Sequence, residues 1–148
     1  MLEVRNLRVG YPTRTGLVEA VRGVSFDVGA ERVGLVGESG SGKSTIGRAI
    51  LGLVPAPGIV TAERLAFAGL DLLEPSGRAV RAVRGRRITM VLQDPKFSLN
   101  PVVRAGEQIA EAVRLHRRVG RGEARRRALA MLDAVRIRDP ERVYRAWP

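Results

Sequence analysis

The stretch Gly37–Thr45 reads GESGSGKST and directly follows the apolar run Val33–Val36. It fits the phosphate-binding loop pattern, in which two glycines five residues apart are followed by Lys and then Ser or Thr. Glycines let the backbone approach phosphate oxygens closely, so that successive N–H groups point inward. A helix beginning near Lys43 would add its positive N-terminal end to the same anion. The pattern therefore predicts a strand, a loop and a helix that together bind a nucleoside triphosphate.

The residue types of the loop suggest individual roles. Lys43 would reach the β- and γ-phosphates, and the Ser44 hydroxyl would bind the accompanying Mg²⁺. The chain has 24 Arg but only two Lys, Lys43 and Lys96. A compact ammonium fits among phosphate oxygens where a planar guanidinium would not, which favours a functional Lys43. The predicted nucleotide-binding residues of the loop are Gly37, Glu38, Ser39, Gly40, Ser41, Gly42, Lys43, Ser44 and Thr45.

Composition excludes several classes of protein. No apolar run approaches the length of a membrane span, the N-terminus has no signal-peptide pattern, and the absence of Cys excludes disulfides and Cys-based zinc sites. The formal charge of +11 comes largely from two Arg-rich clusters, Arg78–Arg87 and Arg114–Arg127. We interpret these chiefly as solvated helix faces, and anionic lipid, an acidic partner or nucleic acid remain open. Aromatic residues do not interleave with them, so stacking on single-stranded bases is not indicated.

Periodicity predicts an antiparallel opening, a parallel core and a helical last third. Asn100-Pro101 and Asp139-Pro140 each place a capping side chain before a proline at a helix start. The predicted strands are Leu2–Val9 with an irregularity near Asn6, Leu17–Val21, Val24–Val28, buried Arg32–Val36, a strand or strand pair over Ile59–Ala68, and buried Ile88–Leu92. A turn-rich connection is predicted over Tyr11–Gly16, and helices over Lys43–Leu53, Ser76–Arg84, Asn100–Leu115, Glu123–Val135 and Asp139–Trp147.

Gln93 follows the second predicted buried strand directly. Open α/β sheets bind ligands in the crevice above the carboxyl ends of their strands. The Gln93 amide oxygen could meet Mg²⁺ there, or its NH₂ could hold an attacking water. An ordinary polar residue at a strand end is the equally weighted alternative.

Taken together, these motifs resemble the nucleotide-binding subunits of ABC transporters, in the branch that powers uptake of oligopeptides, dipeptides or nickel. Beyond the phosphate loop, the resemblance rests on ITMVLQDP, QDPKFSLNP, GEQIAEAV and RDPERVYRAWP. It implies an α/β P-loop NTPase (RecA-like) core with an N-terminal antiparallel β subdomain and the start of an α-helical subdomain. Residues 1–92 would form the nucleotide-binding core, and residues 93–148 the Q-loop and part of the helical subdomain.

The resemblance also implies roles and partners. Tyr11 would stack on adenine, although an ordinary strand-end tyrosine is the alternative. Ser44 and Gln93 would bind Mg²⁺, and Gln93 would also respond to the nucleotide state. The segment Lys96–Asn100 would lie near a transmembrane permease subunit. A second ATP-binding subunit, identical or not, would complete the ATPase on the cytoplasmic side of the membrane, peripheral to it and without nucleic acid.

The family pattern continues beyond what this sequence contains. A Leu-Ser-Gly-Gly signature, a strand ending in Asp and a catalytic Glu, and a switch His come later in the family, and His116 in its basic helix is read as an exposed residue. We therefore expect an incomplete domain that binds ATP weakly and has no measurable turnover. We also expect it to aggregate or swap strands, because Val33–Val36 and Ile88–Leu92 would lack neighbours.

Two other classes carry the same loop. A soluble nucleotide kinase would usually start with its phosphate loop close to the N-terminus, and a GTPase would need an Asn-Lys-x-Asp segment that is absent. An ABC-type ATPase that acts on nucleic acid or ribosomes is favoured slightly by the basic clusters, whereas SLNP after Lys96-Phe97 argues for the importer branch. The transported solute is not encoded in this sequence.

Overall fold

The computed structural model describes residues 1–74, 77–92 and 98–148, which divide into two compact units, Met1–Met90 and Val91–Pro148. The first unit contains β1 (Leu2–Thr13), β2 (Gly16–Val28), α1 (Lys43–Ile50), β3 (Ile59–Thr61), β4 (Arg64–Phe67), β5 (Leu70–Asp71) and α2 (Arg78–Val83). The second contains α3 (Ala105–Arg117), α4 (Arg121–Ala134) and α5 (Pro140–Arg145).

The sheet of the first unit is antiparallel, in the order β2-β1-β4-β5, with β3 also paired to β1. The predicted irregularity at Asn6 is confirmed: its φ is 46° and the β1–β2 register shifts between Val4 and Leu7. Asn tolerates this left-handed conformation better than most residues. The shift changes the alternation of β1, so that Val4, Leu7 and Val9 are all fully buried.

The hairpin of β1 and β2 is longer than the sequence predicts. The expected connection over Tyr11–Gly16 is wrong, because the pairing continues until Thr13 lies opposite Gly16. The two strands expected on either side of Arg22-Gly23 are one strand. Gly23 lets that strand continue, because its φ of +92° suits glycine. The predicted strand pair within Ile59–Ala68 is confirmed as β3 and β4.

Helix α1 covers the sheet with an apolar stripe. Ile46 and Ala49 are buried in the same cluster as Val4, Leu7 and Val9. The helix ends at Ile50 rather than at the predicted Leu53, whose side chain is 51% exposed. The rest of the cluster consists of Val21, Leu65, Leu72 and Val80, which come from β2, β4, the segment after β5, and α2.

The two buried parallel strands predicted from apolar runs do not form. Residues 33–36 are irregular and exposed, with Val36 97% exposed. Residues 88–92 make only an isolated bridge, from Ile88 to Arg84, and Val91 is 93% exposed. A strand requires a hydrogen-bonded neighbour, and no strand among the described residues pairs with either segment. The strand expectation for both segments is therefore wrong.

The second unit is a cluster of three helices. Gly106 and Ala110 of α3 are buried there, whereas Ala112 is exposed. In α4 the buried residues are Ala124, Ala128 and Leu132, while Met131 and Val135 are exposed. His116 is exposed, as predicted.

The two predicted helix caps have opposite outcomes. The Asp139 carboxylate accepts a hydrogen bond from the Arg142 N–H at 3.0 Å, with Pro140 as the first residue of α5, so this cap is confirmed. The cap at Asn100 is wrong, because α3 begins at Ala105. Asn100 instead forms a turn in which its Oδ1 accepts from the Val102 N–H. The Gln108 side chain bonds both the N–H and the carbonyl of Asn100.

Candidate nucleotide-binding site

The predicted phosphate loop folds around the ammonium of Lys43. The Lys43 Nζ donates to the carbonyl oxygens of Gly37 at 2.7 Å and Glu38 at 2.6 Å, and to the Ser41 Oγ at 3.2 Å. The Ser41 N–H donates to the Glu38 carbonyl at 3.2 Å and closes a turn between them. These contacts bring together residues from both ends of the loop. They place its one cation on the loop's own backbone oxygens.

Two glycines allow the backbone conformation of the loop. Gly40 and Gly42 have φ values of +82° and +91°, which favour glycine. Gly42 has a further requirement, since a Cβ atom there would lie 2.4 Å from the carbonyl oxygen of Ala20 in β2. The end of the loop is thus fixed by direct contact with the sheet. The role of Ala20 could not be predicted, because an alanine within a strand carries no local signal in the sequence.

The start of α1 presents backbone N–H groups with no acceptor inside the helix. Gly42 is the N-cap, no side chain caps the helix and no acidic residue lies in its first turn. The first helical hydrogen bond runs from the Ile46 N–H to the Gly42 carbonyl. The N–H groups of Lys43, Ser44 and Thr45 therefore precede the helical ladder. Together with the Lys43 ammonium, this arrangement is suited to an anion.

The pairing of β1 with β2 places Tyr11 near the phosphate loop. It pairs with Val18 of β2, and Ala20, which contacts Gly42, is two residues further along that strand. Two residues span about 7 Å of strand. The Tyr11 ring also borders Gly58, where a Cβ atom would lie 2.8 Å from the ring Cε1. The sequence carries no signal for this contact, because Gly58 and Tyr11 are far apart along the chain.

Comparison with known proteins decides the family. The family model described as ABC transporter matches residues 21–146. The chain belongs to the ABC transporter family. A structure of a dimeric, post-hydrolysis ATP-binding cassette bound to ADP and Pi is similar over 100% of this chain and 62% of that one, with a TM-score of 0.80 and 26% identity. The predicted fold class, a P-loop NTPase, is confirmed, and family membership argues against the soluble kinase and GTPase alternatives.

Relatives within the ABC transporter family include proteins named for peptide transport. A probable peptide ABC transporter ATP-binding protein of Sinorhizobium fredii is 47% identical. A dipeptide transport ATP-binding protein of Bacillus subtilis is 41% identical. Each match covers 100% of this chain and 45% of the relative. The chain thus spans less than half the length of these relatives.

Some of the other predicted site residues of this ABC protein lie outside the residues that the structure describes. Gln93 lies outside the described residues, and so do Lys96 and Phe97 of the predicted permease contact. Of that contact, Ser98, Leu99 and Asn100 are described, and all three are exposed. The Asn100 turn is held by Gln108 through two hydrogen bonds of 2.9 Å, which fix this end of the segment on α3.

The side chains at the loop can be tested for their fit to Mg²⁺. Among the described residues no three His, Cys, Asp or Glu side chains cluster in a way that could hold a metal ion. Mg²⁺ often uses only one or two protein ligands, however, and takes its other oxygens from water and substrate phosphates. The Ser44 hydroxyl is exposed in the first turn of α1, one residue after Lys43. The site therefore fits Mg²⁺ that arrives with a nucleotide.

Proposed function

We propose that this chain is the nucleotide-binding part of an ATP-binding subunit that energises ABC-type import of peptides across the cytoplasmic membrane. The observation that carries the proposal is the loop geometry, in which Lys43 and the uncapped start of α1 converge on one place. The peptide-transport names of the relatives support the substrate class. Nickel import, which the sequence also suggests, has no support among them.

The loop would bind the triphosphate by exchanging contacts. The Lys43 ammonium is held by two carbonyl oxygens and one hydroxyl. Phosphate oxygens carry full negative charge, so they form stronger, charge-assisted hydrogen bonds with the same ammonium. The N–H groups of Lys43, Ser44 and Thr45 would then bind phosphate oxygens as well. Because these groups are already positioned by α1, little ordering is needed at the moment of binding.

Mg²⁺ and adenine would be bound on either side of the phosphates. Ser44 would ligate Mg²⁺, and this ion would neutralise the charge that develops on the phosphates during transfer. Gln93 would contribute a second ligand or orient the attacking water. Tyr11 would stack on adenine, which its register position near Gly42 supports.

The whole protein would hydrolyse ATP as a pair of subunits attached to a permease. The similar cassette structure is described as dimeric, which supports a second ATP-binding subunit. The exposed turn at Leu99 and Asn100 supports a permease contact over Lys96–Asn100. No helix in the described ranges is long and apolar enough to cross a bilayer. We propose that the subunit binds the cytoplasmic face of the membrane through this permease contact.

Titration calorimetry with MgATP tests the nucleotide part of this proposal. Lys43→Ala is expected to weaken binding by about 100-fold, the equivalent of about 2.7 kcal/mol. Arg48→Ala is the matched control, because Arg48 lies on the same helix, is exposed and forms no ion pair with a described residue. It removes the same charge and should change the affinity less than about twofold. Equal losses in both variants, or no binding by the folded chain, would refute the proposed site.

Co-purification tests the transport part separately. The full-length protein, co-expressed with permease subunits of a peptide importer, should be recovered with them from detergent-solubilised membranes. A double substitution of Leu99 and Asn100 to Ala should reduce that recovery without changing MgATP binding. Recovery with RNA or DNA instead of permease subunits would favour the nucleic-acid alternative and contradict this one.

A further inference from the structure

The helical unit contains a cavity whose walls are unusually rich in arginine. Its volume is about 490 Å³, and α3, α4 and α5 all contribute to its lining. Cavities of 300–1,000 Å³ are typical of small-molecule sites. The charged and phenolic residues that line it are Glu107, Arg114, Arg121, Arg125 and Tyr144. Three arginines and one glutamate thus line the same cavity.

The three arginines differ in how far their charge is already compensated. Arg125 donates to Glu141 at 2.6 Å and lies over the ring of Tyr144, 5.4 Å from its centre. The side chains of Arg114 and Arg121 form no ion pair or hydrogen bond with any residue in the described part of the chain. They come from different helices and line the same cavity. Two uncompensated guanidinium groups therefore face a common space.

The position of Arg121 adds to the positive potential. Arg121 is the first residue of α4, where the partial charge of the helix end is also positive. Gly122 follows it in the cavity wall, and the first hydrogen bond of the helix runs from the Ala124 N–H to the Gly120 carbonyl. The N–H groups of Arg121 and Gly122 thus precede the helical ladder. The acidic residue of this first turn, Glu123, accepts hydrogen bonds from Arg126 and Arg127. The helix end would also favour an anion bound beside Arg121.

The single carboxylate of the cavity is partly occupied. Tyr144 donates to Glu107 Oε1 at 2.9 Å. Burial and this hydrogen bond raise the pKa of Tyr144, so its hydroxyl stays protonated at neutral pH. Glu107 accepts this bond from a neutral donor, and it forms no ion pair with Arg114 or Arg121 among the described residues.

We propose that this cavity binds a phosphate-bearing anion through Arg114 and Arg121. Guanidinium groups match phosphate oxygens in bidentate geometry, and two of them from facing helices can hold a single phosphoryl or pyrophosphoryl group. The anion is either a free phosphorylated small molecule or the headgroup of an anionic lipid. The site lies in the helical unit, and it does not depend on the phosphate loop or on the proposed transport function.

Binding of inorganic pyrophosphate to the whole chain tests the free-anion source. All measurements use the Lys43→Ala background, so that the phosphate loop contributes as little as possible. The test variant is Arg114→Gln with Arg121→Gln. The control is Arg117→Gln with Arg138→Gln, two exposed arginines outside the cavity wall with no ion pair among the described residues. Both pairs remove two positive charges. The test pair should lose at least about tenfold in affinity and the control pair less than about twofold.

Sedimentation with vesicles tests the lipid source. Phosphatidic acid vesicles are compared with phosphatidylcholine vesicles, with the same two variant pairs. If only the test pair loses affinity for pyrophosphate, the result supports a free phosphorylated ligand. If only the test pair loses binding to phosphatidic acid vesicles, and pyrophosphate does not bind, the result supports a lipid headgroup. Binding of neither probe refutes the proposal. Equal loss in the control pair also refutes it, because it would show binding to the general positive surface.

A second variant keeps the test valid if the double substitution prevents folding. A Cβ atom at Gly122 would meet no other atom within 4 Å, so a larger side chain can be placed there. Gly122→Leu should fill part of the cavity while leaving every charge in place. It should also lower pyrophosphate or vesicle binding at least about tenfold, with a cooperative thermal transition retained. Unchanged binding in this folded variant would contradict a ligand inside the cavity.

Discussion

Replacement of Gly42 by Ala should destabilise the first unit by more than its backbone conformation alone explains. Gly42 has a φ of +91°, and an alanine pays about 1–2 kcal/mol there. Its Cβ atom would also lie 2.4 Å from the Ala20 carbonyl oxygen. Such contacts are not tolerated below 3.0 Å, so the loop or the strand must move by more than half an ångström. The clashing atom of Ala20 is a backbone oxygen within strand β2, so the clash cannot be relieved by rotating a side chain.

Gly40→Ala separates the two contributions to this effect. Gly40 has a similar φ of +82°, but a Cβ atom there would meet nothing within 4 Å. An alanine at position 40 has the same unfavourable backbone conformation. This cost is offset by about 0.4–1 kcal/mol, because alanine restricts the unfolded chain. We expect Gly40→Ala to lower the free energy of unfolding by about 1 kcal/mol or less. Gly42→Ala should cost about 2–4 kcal/mol, since forced overpacking adds about 1–3 kcal/mol.

Urea unfolding followed by far-ultraviolet circular dichroism measures both variants. The quantity of interest is the difference between their unfolding free energies, taken at a common slope with denaturant. A difference of about 1–3 kcal/mol supports the contact between the loop and β2. If the two variants agree within about 0.5 kcal/mol, the contact with Ala20 does not constrain the loop and the reasoning is wrong.

Three further predictions concern other parts of the chain. Gly106→Ala should destabilise the helical unit by at least about 3 kcal/mol, because a Cβ atom there would lie 2.1 Å from the Tyr144 ring. Gly122 is likewise the second residue of its helix, but a Cβ atom there would meet nothing within 4 Å. Gly122→Ala should therefore stabilise the helical unit by up to about 1 kcal/mol, measured by thermal unfolding. Asp139→Ala should cost about 1 kcal/mol by losing the cap of α5, whereas Asp133→Ala should change unfolding little. The hydrogen bonds from Arg5 hold the pKa of Asp27 below its usual range, so this pair stabilises the fold above the unfolded-state pKa of about 3.9. Asp27→Asn should therefore destabilise at pH 7, and its difference from wild type in urea unfolding should vanish as pH falls through the folded-state pKa.

Features with a local physical cause were predictable from the sequence. The helix after the phosphate loop, the irregularity at Asn6 and the cap at Asp139 each depend on a few adjacent residues, and all three are present. The positions of the loop residues were likewise identified from a motif. Their contacts with β2 were not, because the approach of Gly42 to Ala20 depends on how two distant segments meet.

Features that depend on pairing were mispredicted. Val33–Val36 and Ile88–Leu92 have the composition of buried strands, but composition does not supply a neighbouring strand. Asn100-Pro101 has the chemistry of a helix start, and Gln108 instead holds Asn100 in a turn outside α3. The arginine cavity was hidden for the same reason. Arg114 and Arg121 read as solvated charges until the packing of α3, α4 and α5 brings them to one space.

Amide hydrogen exchange with and without MgATP measures the central claim most directly. We expect exchange at Lys43, Ser44 and Thr45 to slow at least about tenfold on saturation, because their N–H groups would bind phosphate oxygens. Exchange in α4, which lies in the other unit, should be unchanged at MgATP concentrations that just saturate the phosphate loop. Saturable MgATP binding that leaves these three amides exchanging at their original rates would contradict a phosphate site at Gly37–Thr45.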